Sequence, residues 1–154
     1  MAIIEIDPYE AIITLALANA DLAAECGTQM DIWHHYGQDV GDWSLSSKSL
    51  VVVPAGGELD VDVPFSRPLF EVRCYGDSPF DCGQVWRALV AFTVEHNERR
   101  TVAVTEGTAL VQYILPQVGQ GMPRLLFDED IRPNGGMPFY SVLMRAEVAN
   151  QTVT

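Results

Sequence analysis

Basic residues are scarce in this sequence. One lysine, Lys48, and eight arginines stand against 21 acidic residues, for a formal net charge of -12. Direct binding to nucleic acid neutralises phosphates with Lys and Arg, so this balance disfavours it. Cysteine is sparse too. Cys26, Cys74 and Cys82 are an odd set with no motif spacing, which fits a reduced, cytosolic history. Cys74 falls on the inward side of an expected strand and Cys82 early in an expected helix, so two buried small hydrophobes are expected there and not a disulfide. No apolar run is long enough to span a bilayer, and no charged start leads into an apolar stretch and a small-residue cleavage site. A soluble chain without a signal peptide is the expectation. Phosphate-binding glycine motifs, a nucleophile elbow and a paired Cys/His signature are all missing, so an enzymatic role is the minority reading and no cofactor is expected.

What is present is the material for one core. The 154 residues are 48% hydrophobic, enough for a single domain spanning 1–154. The acidity is uneven: up to Ser66 there are 11 acids and one base, while the remainder is near balance. Either one acidic surface or a generic solvated face accounts for this.

The stretch from Leu69 to Glu95 organises the chain. Phe70, Val72 and Cys74 alternate with Glu71 and Arg73, so a strand with one buried and one wet face is expected. Asp77 and Ser78 are N-cap candidates, Pro79 suits the first helical position, and Asp81 favours the positive end of the helix dipole. The helix from Pro79 to Glu95 would then turn Val85, Trp86, Leu89, Val90 and Thr93 inward.

An equally clear helix start lies at Asp7-Pro8-Tyr9-Glu10, and that helix is expected to run to about Ala24 before Gly27 ends it. Met30 to Tyr36 reads as a strand and Gly37 to Lys48 as a long exposed loop. Leu50 to Val53 reads as a short strand stopped by Pro54. Leu59, Val61 and Val63 alternate with Asp60 and Asp62 in an acidic edge strand or hairpin arm. Val102–Thr105 and Thr108–Leu115 flank Glu106-Gly107 as a hairpin. Leu125 to Asp130 leads into the loop Arg132-Pro133-Asn134-Gly135-Gly136. A final strand, about Phe139 to Val148, alternates Tyr140, Val142, Met144, Ala146 and Val148 against Ser141, Leu143, Arg145 and Glu147. If it pairs antiparallel with the Leu69 strand, Glu71 and Arg73 would meet Arg145 and Glu147. From about residue 150 the chain is expected to be mobile unless a neighbour orders it.

The fold class that follows is α+β: a two-layer sandwich of a mostly antiparallel sheet with two main helices packed on one face. Chemistry-bearing residues give little. Adjacent His34 and His35 on a strand point to opposite faces and cannot readily chelate one ion. Asp39 and Asp42, between Gly37 and Gly41, lack the alternating ligands of a calcium loop. Asp128-Glu129-Asp130 alone is a weak cation signal, so no metal site is expected.

The segments DPYEAIITLALANADLAAECGT, FEVRCYGDSP and GMPRLLFDEDIRPNGGMPFYSVLMRAEV, in that order around a second helix and a hairpin, resemble the tail terminator and neck-completion proteins of long-tailed bacteriophages. The resemblance rests on apolar positions and turns across most of the chain. It implies a structural virion protein of the tail and neck region, assembled in the host cytoplasm as a homo-oligomeric ring, a hexamer in the usual case. Such a ring caps the tail tube protein, joins it to the head-tail connector protein and encircles passing DNA without specific binding. No membrane is involved. Interface or lumen candidates are Asp39, Asp42, Trp43, Glu58, Asp60, Asp62, Asp128, Glu129, Asp130 and Arg132. A head-completion or connector role is the near alternative. The alternative of another class is a non-viral ligand-binding domain with a pocket lined by Trp33, Trp43 or Trp86.

Overall fold

The computed structural model describes residues 2–3, 6–32, 48–60, 65–95, 98–119, 121–132, 134–150 and 152–153. The first helix, α1, spans Pro8–Ala18. Its start follows the sequence: the Asp7 carboxylate accepts from the Tyr9 amide at 2.9 Å, and Pro8 takes the first turn, where its missing N–H costs nothing. The expected single helix to Ala24 is in fact two. Asn19 adopts an extended backbone, and α2 restarts over Ala20–Cys26. Asn19 is buried and satisfies both broken ends. Its side-chain oxygen accepts from the Leu22 amide at 3.0 Å, its amide donates to the Ala16 carbonyl at 3.1 Å, and its side-chain nitrogen reaches Glu95 at 2.5 Å.

A seven-stranded sheet follows. Its strands are β2 (Met30–Ile32), β3 (Ser49–Asp60), β4 (Phe65–Tyr75), β5 (Arg100–Val104), β6 (Gly107–Pro116), β7 (Arg124–Asp128) and β8 (Met137–Asn150). The order is β2-β3-β4-β8-β6-β5, with β7 also on β8. Among the described residues only β2 and β3 run parallel; every other pair is antiparallel. The long strand β8 has β4 on one side. Its other side is shared, with β7 along Met137–Ser141 and β6 from Met144 to Asn150. Two further short strands, β1 (Ala2–Ile3) and β9 (Thr152–Val153), pair with each other. Thr152 and Val153, in the tail expected to be loose from about 150, thus pair with the N-terminal end.

Several boundaries differ from the sequence expectation for physical reasons. Pro54 does not stop β3, because the register shifts between Pro54 and Gly57 and the strand continues to Asp60. Gly57 makes the shift possible. Its φ is +121°, and a Cβ there would stand 2.3 Å from the Arg67 carbonyl oxygen, so only glycine fits. Of the strand expected over Met30 to Tyr36, residues 30–32 are described and the rest lie outside the described residues. The expected hairpin is present as β5 and β6.

The third helix, α3, spans Pro79–Glu95. Ser78, and not Asp77, caps it, accepting from the Asp81 amide at 3.3 Å; Asp77 instead pairs with Arg132 at 2.8 Å. The turn that feeds α3 depends on Gly76, whose missing Cβ would fall 2.7 Å from that of Asp81. The buried stripe of α3 is Cys82, Val85, Ala88, Leu89, Phe92 and Thr93. Two expectations change here. Trp86 lies at the margin of the stripe, partly buried against the core, and Val90 is 41% exposed.

All three described helices bury onto one face of the sheet. Their inward residues meet Leu50, Val52, Phe70, Val72, Cys74, Val142, Met144, Ala146 and Val148 in a single apolar cluster. The architecture is the α+β two-layer sandwich that the alternation implied, with a mostly antiparallel sheet. On the opposite face a smaller cluster of Val51, Tyr75, Met137 and Phe139 gathers.

Candidate functional site

The open face of the sheet carries a polar network that reaches the acidic run after β7. Alternation in β4 sends Glu71 and Arg73 to this face, and the β4–β8 register sets Arg73 beside Ser141 and Glu71 beside Leu143. The expected meeting of Glu71 and Arg73 with Arg145 and Glu147 does not occur. Leu69 is the residue opposite Arg145, so the charges are offset along the strands. Glu71 is met from both strands: Arg73 Nε on β4 donates to it at 2.8 Å, and the Ser141 hydroxyl on β8 donates to its other oxygen. Arg145 instead lies over the Tyr113 ring at 5.5 Å, and Glu147 stands 4.0 Å from Arg67.

From Arg73 the network runs to the acidic run after β7. Arg73 Nη1 donates to the Tyr75 hydroxyl at 3.3 Å, and Tyr75 donates to Asp128 Oδ2 at 3.1 Å. The Arg73 guanidinium sits 4.9 Å above the Phe139 ring, which in turn packs on Tyr75 at 5.0 Å. Asp128 Oδ1 also accepts from the Asp130 amide, and its carbonyl accepts from the Arg132 amide. Asp128 therefore shapes the turn and anchors it to the sheet. Burial raises the Tyr75 hydroxyl pKa, against the lowering effect of Arg73. The phenol stays protonated and remains a donor. Burial opposes the Arg73 charge, but hydrogen bonds to Tyr75 and Glu71 outweigh it and hold the guanidinium more firmly protonated.

Two hollows flank this network. One of about 230 Å³ is lined by Glu71, Met122, Arg124, Ser141 and Leu143. The other, of about 500 Å³, is bounded by Arg73, Phe127, Asp128, Glu129, Asp130 and Phe139. The polar groups between them answer one another, which makes the network a rigid tie between β4, β8 and the β7 turn.

The remaining candidates lie elsewhere. Glu58 and Asp60 sit at the far end of β3, opposite Arg67 and Phe65, and Glu58 meets Arg67 at 3.3 Å between two exposed side chains. Asp128 to Arg132 lie at the other end, near Tyr75. The 11 residues of β4 separate the two groups by about 33 Å at strand rise. The structure therefore places the described acidic candidates at two ends of the sheet and does not gather them into one site. Asp39, Asp42, Trp43 and Asp62 lie outside the described residues, as do Trp33, His34 and His35.

The feature that sequence reasoning missed is β7 itself. Arg124, Leu125, Leu126 and Phe127 are all exposed, Phe127 at 55%, although the strand pairs with β8. A three-residue apolar run between Arg124 and Asp128 was the available signal. It reads as a strand entering a loop, and exposure on both faces has no period to reveal it.

The cysteines answer the sequence reading. All three are buried and reduced. Burial pushes the Cys26 thiol up to about 12 and Cys82 to about 11, and raises Cys74 well above its usual value. Among the described residues no group of three or more His, Cys, Asp or Glu could hold a metal ion, and no helix is long and apolar enough to cross a membrane. The chain matches no protein-family model and no curated protein by sequence.

Proposed function

We propose that this protein is a structural assembly subunit of the phage tail-terminator type, which forms a ring that caps a tail tube and joins it to a head connector. The observation that carries the reading is the β3–β4 arm. Residues 55 to 59 are exposed in succession, with Leu59 57% exposed, and residues 56 to 59 border an open hollow shared with Ile6, Pro8 and Tyr9 at the start of α1. Exposed apolar and acidic side chains on a long arm suit contact with a neighbouring subunit. Of the segments that carry the resemblance, FEVRCYGDSP and GMPRLLFDEDIRPNGGMPFYSVLMRAEV supply the adjacent central strands β4 and β8.

The acids at the two sheet ends support a division of labour within such a ring. One acidic end at the lumen would repel the DNA backbone and keep it moving. The other would face a neighbouring protein. No catalytic step is assigned to the chain, since the polar network on the open face is used up in tying strands together. The tryptophan-lined pocket of the ligand-binding alternative gains no support from Trp86, which packs against the core. Purified protein examined by mass measurement and electron microscopy tests the reading. Closed rings that add to the ends of tail tubes are the expected result; particles without rings and without tube binding would overturn it.

A further inference from the structure

We propose that β7 is a self-pairing edge, through which two copies of this chain join antiparallel across a two-fold axis. Among the described residues the strand is paired on one side only, with β8, and its five residues Arg124–Asp128 read basic, apolar, apolar, apolar, acidic. Such a row is self-complementary when reversed. Centred on Leu126, an antiparallel copy sets Leu126 against Leu126, Leu125 against Phe127, and Arg124 against the acidic end at Asp128.

The charges needed are available. Among the described residues Arg124, Glu129 and Asp130 take part in no salt bridge, and all three are exposed. Asp128 is held by Tyr75, so Glu129 and Asp130 beside it are the acids that receive the partner's Arg124. A parallel copy would instead oppose like charges at both ends, so the charge pattern selects one orientation. The apolar residues give the contact its area. Leu126 shares a face with Phe139 by register, and Leu125 shares the other with Tyr140, so the pairing covers apolar surface on both sides of the sheet. It also hides an exposed apolar edge, which a free chain otherwise presents to any other strand.

The contact goes beyond the ring reading and is independent of it. A ring is closed by head-to-tail contacts between two different surfaces, whereas this one sets like against like. It would hold free subunits as dimers or two rings face to face.

Leu126→Cys tests the geometry. Directly opposed residues of an antiparallel pair have Cα atoms about 4.5 to 5.5 Å apart, within the range that a disulfide bridges. The three native thiols are buried and do not compete. Mild oxidation of the otherwise unchanged protein should give a covalent dimer of doubled mass for Leu126→Cys, and not for Glu106→Cys in the exposed β5–β6 turn. Arg124→Glu should lose the dimer, and so should the double variant Glu129→Lys, Asp130→Lys, while an equal mixture of the two should restore it as a heterodimer. Monomers at every concentration, or a Leu126→Cys protein that cross-links no faster than Glu106→Cys, overturn the proposal even if rings are seen. Cross-linked dimers without rings would overturn the ring alone.

Discussion

Tyr75 donates its hydroxyl hydrogen bond to Asp128 across 53 residues of sequence, at 3.1 Å. This bond, together with the Arg73–Asp128 ion pair at 3.8 Å, ties the start of the acidic turn to the central strand. Tyr75→Phe should keep the ring packing on Phe139 and remove only the hydroxyl. A cost of about 1 to 3 kcal/mol is expected, because a partly buried carboxylate loses a donor. Urea unfolding measures it directly. An unchanged midpoint would mean that water replaces the phenol without loss.

Asn19 is the joint between α1 and α2 and the link to the end of α3. Asn19→Ala removes the cap of α2 and the bond to Glu95, so a loss of about 1 to 2 kcal/mol is expected, most of it from the cap. Hydrogen exchange should rise in the amides of Ala20 to Leu22 before it rises elsewhere. Uniform exchange would show that the break is held by packing alone.

On α3 the structure reverses the ranking that periodicity suggested. Phe92 is 2% exposed, while Trp86 lies at the edge of the core. Phe92→Ala should cost about 3 to 5 kcal/mol. Trp86→Ala should cost less, despite its larger side chain. Equal losses in thermal or denaturant melts would place the Trp86 ring in the core after all.

The thiols give a pH dependence with a defined sign. The folded values of Cys26, at about 12, and Cys82, at about 11, lie above the ordinary thiol value of 9.0. Folding therefore favours the protonated form, and its contribution is complete below pH 9 and is lost as pH rises through 11 to 12. Stability should fall across that window. At pH 8 a thiol reagent should modify none of the three cysteines until denaturant is added. Rapid labelling of the native protein would contradict their burial.

Much of the fold was legible because its signals are local. Alternation in β4 and β8, the Asp7-Pro8 start and the Ser78-Pro79 start each follow from neighbouring residues. The break at Asn19 was hidden because an alanine-rich segment on both sides satisfies helix propensity, and the bond to Glu95 that joins the local cap in holding it open comes from far along the chain. The offset of Glu71 from Arg145 was hidden for a related reason. Alternation fixes which face a residue takes but not its position along the partner strand. The acidic candidates could be counted in the sequence, yet their division between two ends of the sheet depends on strand order.

Association state decides the central claim. Particle mass should be measured over a range of protein concentration and salt, and the same samples imaged by electron microscopy. Rings of six subunits are expected, favoured by added salt where acids face each other, because screening limits their repulsion to about 8 Å near physiological ionic strength. Particles no larger than a dimer under every condition, with no attachment to tail tubes, would contradict the account.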